Sequence, residues 1–245
     1  MDDDAVACLK SASGQAVGAF LETPMDDKWV MSNSRFVTAC MRRLGAPWPG
    51  FKTPPAAVPT CANKTSTGRV CGALCDAIGK HQECCAPGGG LMSRHDGLVR
   101  CIGLLAARNL DPKPKLEQIL PELARPVAGQ VEQARLDVVV QDGTERLLVD
   151  VVVVSVLAGD ASFRRTCARR DGHAVRRAEI SKRSRYPTAE LVPFAIETGG
   201  RLGADARAFL VRCADGALDP AKELQYLYRA VSSCLQDGVA RQLLK

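Results

Sequence analysis

The sequence predicts an α/β fold, because valine-rich segments typical of β-strands stand among stretches with helical periodicity. Residues 135–140 and 147–154 are strongly apolar, and Asp142-Gly143 between them is a dipeptide typical of hairpin turns. A third strand is expected at 191–197, and residues 94–110 carry apolar side chains at helical spacing. The chain has 245 residues, of which 4% are aromatic, so we expect a core packed mainly by aliphatic side chains.

The other elements follow from local patterns of apolar residues and breakers. The prolines at 47, 49, 54, 55 and 59 predict a linker, and residues 61–90 are rich in Cys and Gly. In chain order we expect a helix at 34–44 that stops at Gly45, the linker, the cysteine-rich segment, the helix at 94–110, a short apolar segment at 115–123, the hairpin, a basic helical region, the third strand, and helices at 204–213 and 220–244.

Charge is concentrated in one window of the chain. The formal net charge is +6, and residues 161–186 alone carry nine Lys or Arg against Asp171 and Glu179, a balance of +7. A run of charge is most often a solvated face, but this one directly follows the hairpin and is dense enough to neutralise phosphates. We therefore favour nucleic-acid binding. The basic residues are Arg164, Arg165, Arg169, Arg170, Arg176, Arg177, Lys182, Arg183 and Arg185.

The N-terminus and the hydropathy predict an intracellular protein. Met1-Asp2-Asp3-Asp4 is acidic, unlike a secretory signal, and no apolar run reaches the roughly 18 residues of a membrane span. In a reducing compartment the 11 cysteines are expected to be metal ligands or buried apolar residues rather than disulfides.

Asp137 and Asp150 occupy matching places on the two hairpin strands, each beside a run of valines. A carboxylate inside an apolar strand is costly unless it is paired, and two adjacent carboxylates repel each other unless a divalent cation lies between them. One such Asp alone would be interpreted as a strand-end residue bonded to water or to an arginine such as Arg146. Two of them, followed by a basic helix, favour the metal site of a nuclease.

The cysteine-rich segment has too few apolar residues for a conventional core, and zinc is the expected substitute. His81 and Cys85 have a gap of three residues, and nine residues separate Cys71 from His81. Either Cys61 or Cys75 would complete a Cys-Cys-His-Cys set, and buried free thiols are the simpler alternative. Cys84 is a further candidate ligand.

Four side chains of the basic region share one helical face: Glu179, Lys182, Arg183 and Tyr186. If this face meets the strands, Lys182 approaches the aspartates; a solvent-exposed Glu-Lys pair with Tyr186 packed at the helix end is the simpler alternative. His95 is interpreted as a structural helix residue, although it is placed to contact the chemistry. Glu197 is expected as a further acidic ligand or as the partner of an arginine.

These motifs, in this order, resemble the restriction-like endonuclease domain of site-specific non-LTR retrotransposon proteins, a branch of the PD-(D/E)XK superfamily. The resemblance covers residues 30–212. Leu136 and Val152 depart from the family pattern, and Lys182 takes the place of the lysine that Val152 replaces. The matching stretches are 71–85 with its Cys and His ligands, Arg94-His95-Asp96, Ala134-Arg135-Leu136-Asp137, Asp150-Val151-Val152-Val153, 178–186 with Lys182 and Tyr186, and 193–199.

The resemblance implies an α/β PD-(D/E)XK restriction-endonuclease-like core, a mixed central sheet flanked by helices, with an N-terminal zinc knuckle. It implies Mg²⁺ or Mn²⁺ at Asp137 and Asp150, with Glu117 as a third ligand, and catalytic roles for Lys182 and Tyr186. The zinc ligands would be Cys61, Cys71, His81 and Cys85. Arg176, Arg177, Arg183 and Arg185 would bind the DNA backbone.

The implied protein is a nuclear, metal-dependent DNA endonuclease of the kind that nicks target DNA during retrotransposon integration. Its expected partners are DNA, element RNA or a reverse-transcriptase domain, and no membrane. The alternatives are a catalytically inactive, zinc-containing nucleic-acid-binding domain from a decayed element, and a purely structural zinc-stapled interaction domain. The expected segments are 1–60 (helical N-terminus and linker), 61–93 (zinc knuckle), 94–213 (endonuclease core) and 214–245 (C-terminal helix).

Overall fold

The computed structural model describes residues 2–47, 59–127 and 129–244, with the side chain of Val127 left out. Most of the predicted proline linker therefore lies outside the described residues. No helix within these ranges combines the length and apolar character needed to cross a bilayer. The helices are α1 (Asp3–Ser11), α2 (Asn33–Arg43), α3 (Lys80–Cys84), α4 (Gly90–Asn109), α5 (Ala161–Arg169), α6 (His173–Arg185), α7 (Ala204–Asp215) and α8 (Pro220–Leu243).

The centre of the fold is a mixed four-stranded sheet in the order β1-β2-β3-β4. The strands are β1 (Lys115–Val127), β2 (Gln130–Asp142), β3 (Glu145–Val154) and β4 (Leu191–Glu197). The first three are antiparallel, and β4 lies parallel to β3. Because a parallel neighbour needs a crossover connection, α5 and α6 fill the chain between β3 and β4.

β2 and β3 pair along only part of their length. Their register runs from Asp142↔Glu145 at the turn to Val138↔Val149. Beyond that pair β2 continues against β1 alone, whereas β3 continues against β4. Asp137 and Asp150 are the next residues on each strand, so they face each other where the two strands separate.

Helices cover both faces of the sheet. On one face α4, α7 and α8 form the main core, a cluster built around fully buried side chains such as Leu98, Ile102, Phe194 and Leu227. On the other face α6 packs on β3 and β4, and Tyr186, directly after α6, lies in a smaller cluster, here the Tyr186 cluster. The other members of that cluster are Ala134, Leu136, Leu148 and Leu191.

A buried ion pair joins the N-terminal helices, the cysteine-rich segment and the sheet. Glu83 of α3, 1% exposed, pairs with Arg42 of α2 and accepts hydrogen bonds from Ser155 Oγ and Thr198 Oγ1, both at 2.9 Å. Ser155 and Thr198 each follow the end of a strand, β3 and β4 respectively. A buried carboxylate with this many partners is fully satisfied and fixes α3 against the strand ends.

The sequence predicted most elements and did not identify β1 as a strand. The α/β class, the third strand at 191–197 and the hairpin turn are confirmed, with Gly143 at φ +59°. The segment at 115–123 is a full strand, β1, whose two prolines at 121 and 126 weakened the strand pattern. The helix expected at 220–244 is present as α8, and it contributes to the same core as α4 and α7.

Replacing Glu83 tests this junction. Glu83→Gln keeps the size of the side chain but leaves Arg42 charged and buried without its partner, so the free energy of unfolding is expected to fall by about 3 kcal/mol. Urea unfolding followed by circular dichroism measures this change. Arg241→Gln, which breaks the exposed pair with Asp237, is the control and should cost under about 1 kcal/mol. Equal effects of the two substitutions would contradict the role given to Glu83.

Candidate functional site

The two aspartates form a buried carboxylate pair whose oxygens have different partners. Asp137 Oδ2 accepts a hydrogen bond from the backbone N–H of Val151 at 2.7 Å. Asp150, 4% exposed, accepts a hydrogen bond at Oδ1 from Lys182 Nζ at 2.7 Å. Within the described residues, Asp150 Oδ2 is buried and has no hydrogen-bond partner. A buried carboxylate oxygen without a hydrogen-bond partner is uncommon in folded proteins.

The surroundings shift the two carboxyl groups in opposite directions. Burial raises the pKa of Asp150 to about 6, with the nearby Asp137 adding to the rise and Lys182 opposing it. Burial also acts to raise the pKa of Asp137, but His95 and the Val151 N–H outweigh it and hold that pKa below its ordinary value. The pair thus combines a firmly ionised carboxylate with one that gains a proton easily.

His95 on α4 lies directly against Asp137. Its Nε2 is 3.3 Å from Asp137 Oδ2 and 3.3 Å from the Val151 carbonyl oxygen, and its Nδ1 is 3.2 Å from Asp96 Oδ1. The hydrogen bond to Asp137 raises the pKa of His95 to about 9 against the desolvation that would lower it. The interpretation of His95 as a structural helix residue did not include its contact with Asp137. Its own segment carried no signal for this contact, because Asp137 lies on another element.

The four side chains expected to share one helical face make different contacts. Lys182 reaches Asp150, as the helical spacing predicted. Glu179 is buried and accepts a hydrogen bond from the backbone N–H of Asp205, at the start of α7. Arg183 forms an ion pair with Asp205 at 2.8 Å. Tyr186 is buried in the Tyr186 cluster, the packing described by the simpler alternative.

The two additional acidic candidates have other partners. Glu117 has an ion pair with Arg135 and a left-handed backbone, φ +53°. Like Asp137 and Asp150, it is not part of any group of three or more metal-donor side chains within the described residues. Glu197 is buried at the end of β4, where desolvation raises its pKa. Neither residue adds an observed contact to the carboxylate pair.

Many of the basic side chains are already paired with carboxylates. Arg183 pairs with Asp205 and Arg185 with Glu132. Arg176 and Arg177 are exposed, and no carboxylate of the described chain lies within ion-pair distance of them. Arg177 instead lies over the ring of Phe163, 5.3 Å from its centroid. Of the four expected DNA contacts, Arg176 and Arg177 are therefore the most available.

The second cluster is the Cys-Cys-His-Cys set predicted from the sequence. The donor atoms of Cys61, Cys71, His81 and Cys85 lie within 4.8 Å of one another. Cys61 Sγ is 3.6 Å from Cys85 Sγ, and Cys71 Sγ is 3.4 Å from His81 Nε2. A tetrahedral zinc with Zn–S bonds of about 2.3 Å has S···S edges of about 3.8 Å. The four side chains could therefore hold a metal such as zinc.

A short hairpin and a helix bring these ligands together. Cys61 and Cys71 lie on antiparallel segments, where Cys61 N donates to Ala73 O and Cys71 N donates to Asn63 O, both at 2.8 Å. His81 lies on α3, and Cys85 directly follows it. Cys75 is buried beside the cluster but is not one of its four donors. The open choice of first ligand is thus decided geometrically for Cys61.

Scans of family models and of curated proteins gave no match to this chain. The resemblance to a retrotransposon endonuclease domain thus remains a prediction from the motifs.

Paired cysteine substitutions test the zinc assignment. Cys61→Ser removes a ligand and should lower bound zinc from one ion per chain to a small fraction, because three ligands close the site poorly. Cys75→Ser should keep its zinc. Metal content by mass spectrometry of purified protein measures both. Loss of zinc from Cys75→Ser, with retention in Cys61→Ser, would reverse the assignment.

The pairing of His95 with Asp137 predicts a pH dependence. In the protein without added divalent metal, the pKa of His95 is expected near 9 and should return toward 6.5 in Asp137→Asn. Since the folded-state pKa is the higher one, the stabilisation is complete below about pH 6.5 and is lost as the pH rises through about 9. Imidazole NMR shifts against pH provide the measurement. An unchanged pKa in the variant would contradict the pairing.

Proposed function

We propose that this protein is a metal-dependent DNA endonuclease that nicks target DNA. One observation carries the proposal: two carboxylates meet where β2 and β3 separate, with Lys182 Nζ 2.7 Å from Asp150 Oδ1 and with Asp150 Oδ2 buried and unpartnered. Two carboxylate oxygens and an adjacent cation suit phosphodiester hydrolysis, in which negative charge develops on phosphate oxygens.

Asp137 and Asp150 would hold Mg²⁺ or Mn²⁺, since hard divalent cations favour carboxylate ligands. When bound, the ion supplies a nucleophilic water and offsets charge on the phosphate. Lys182 orients that water or donates to the phosphate, while its ion pair with Asp150 keeps it at the site. His95 fixes the direction of the Asp137 carboxylate through its hydrogen bond. Tyr186, buried below the end of α6, positions the helix from which Lys182 projects.

Two features support an assignment to the PD-(D/E)XK endonucleases of retrotransposon type. The sheet is mixed and flanked by helices, and the motif order of zinc ligands, paired aspartates and helical lysine is that of the resemblance. Val152 lies two residues after Asp150, on the same face of β3, and lines a cleft together with Lys182. Lys182 of α6 can therefore take the role of the lysine that Val152 replaces.

Binding of DNA is attributed to the exposed basic face of α6. Among the cations of α6, Arg176 and Arg177 are those with no carboxylate partner in the described contacts, so they can neutralise phosphates without breaking an existing pair. Arg183 and Arg185 would contribute after exchange of partners. This face and Lys182 lie on the same helix. A DNA backbone bound at this face would therefore run near the carboxylate pair.

One observation favours a second candidate, a catalytically inactive zinc-containing nucleic-acid-binding domain. His95 and Lys182 already neutralise Asp137 and Asp150 in the absence of a metal. An arrangement in which side chains replace the metal permanently would bind DNA without cutting it. Metal-dependent nicking separates the two candidates.

The test is nicking of supercoiled DNA with added Mg²⁺ or Mn²⁺. Asp150→Asn removes a charged ligand and should lower the nicking rate roughly 1,000-fold or more, and Lys182→Ala should lower it roughly 100-fold. DNA affinity should stay within about threefold for both. Asp142→Asn, at the hairpin turn where Asp142 pairs with Arg212, is the matched control and should nick at the native rate.

Two outcomes would contradict the proposal. If native protein binds DNA but does not nick it with either metal, the inactive binding domain becomes the better account. If nicking persists in Asp150→Asn, the activity belongs to a different site or to a contaminant.

A further inference from the structure

A cleft opens beside the carboxylate pair, between the end of β3 and helices α5 and α6. Its volume is about 540 Å³, within the range of pockets that bind small organic ligands, roughly 300–1,000 Å³. The lining includes Val152 and Val154 of β3, Phe163 of α5, and Arg177 and Lys182 of α6. The cleft can therefore enclose a group of about the size of one nucleotide.

The cleft and the carboxylate pair share a strand face and a side chain. Successive residues of a strand point to opposite faces, so Asp150, Val152 and Val154 lie on one face of β3. Lys182 lines the cleft and also donates to Asp150. A group bound in the cleft would thus lie next to a phosphate held at Asp150 and Lys182.

The walls of the cleft combine apolar surface with one aromatic ring. Val152, Val154 and Ala178 are apolar wall residues, and the Phe163 ring lies under the Arg177 guanidinium at 5.3 Å. Aromatic rings and guanidinium planes are the two surfaces on which unstacked nucleobases pack in proteins. A free phosphate would need the cations but would gain nothing from this apolar wall.

A buried donor also lines the cleft. Arg94 is 5% exposed and its Nη1 donates to Gln242 Oε1 at 3.0 Å. Its Nε is fully enclosed by the protein, so this atom does not face a ligand in the cleft. Glu83, which lines the cleft as well, has its carboxylate occupied by the Arg42 pair and two hydroxyls. The cations that can act on a group in the cleft are thus Arg177 and Lys182, and nucleobases carry ring-nitrogen and carbonyl acceptors.

We infer that this cleft binds an unpaired nucleobase of the DNA strand that is cut, directly beside the scissile phosphate. The base packs against Phe163 and Arg177, and Lys182 contacts the adjoining phosphate. A base inside a duplex cannot reach such a pocket without leaving the stack. The preferred substrate is therefore DNA with an unpaired nucleotide at the cleavage position. This inference rests on the proposed function for the identity of its ligand.

The test uses the zinc-loaded full chain and a duplex with one unpaired 2-aminopurine, a fluorescent base quenched by stacking. Binding is measured without Mg²⁺ or Mn²⁺, so that it does not depend on cleavage. Native protein should quench the fluorescence and bind this duplex roughly 10-fold more tightly than the fully paired one. Phe163→Ala should lose both effects, and Phe163→Leu, which keeps bulk for folding, should lose most of the quenching. Phe36→Ala, an exposed phenylalanine of α2 outside the cleft, is the matched control.

The outcomes separate this inference from the proposed function. Quenching that is equal in native protein and both Phe163 variants overturns the base pocket, as does equal affinity of native protein for paired and unpaired duplexes. Base-dependent quenching without any nicking supports the pocket and overturns the endonuclease. Nicking without base-dependent quenching supports the endonuclease and overturns the pocket.

Discussion

The separation of β2 from β3 beyond Val138 and Val149 is the constraint on which the candidate site depends. Had the strands stayed paired, Asp137 and Asp150 would have faced each other within a ladder that excludes a ligand. Instead the Asp137 carboxylate accepts the Val151 N–H and replaces a ladder bond with a side-chain bond. Each strand then continues against its outer neighbour, and the gap is lined by carboxylates. The buried charge is a structural cost that a cation of some kind must offset.

Helices on the two sides of the sheet supply the offsetting charges. α4 brings His95 to Asp137, and α6 brings Lys182 to Asp150. α4 also carries Arg94, which hydrogen-bonds α8 and lines the cleft. The cysteine-rich segment enters the same assembly through Glu83, bonded beyond the ends of β3 and β4. The cysteine-rich segment, the strand ends and the cleft are therefore joined through Glu83.

Sequence patterns predicted local structure well where the residues of a segment themselves determine the structure of that segment. Valine runs around a turn glycine produced the hairpin, and helical spacing placed Lys182 near Asp150. The zinc ligands followed from the chemistry of closely spaced thiols and an imidazole, but the choice of Cys61 over Cys75 needed the antiparallel backbone around Ala73. His95 could not be assigned from its own segment, because its partner lies 42 residues away, in another element. Tyr186 has the packed position that the simpler alternative described.

Divalent-metal binding to the carboxylate pair is the most direct test of the central claim. Mn²⁺ binding to the zinc-loaded chain, measured by the loss of its free electron paramagnetic resonance signal, should reveal one site whose affinity falls at least 10-fold in Asp150→Asn. The same titration should leave the bound zinc in place. Mn²⁺ binding that is absent from the native chain, or that is equal in the two proteins, would contradict the claim that Asp137 and Asp150 form a metal site.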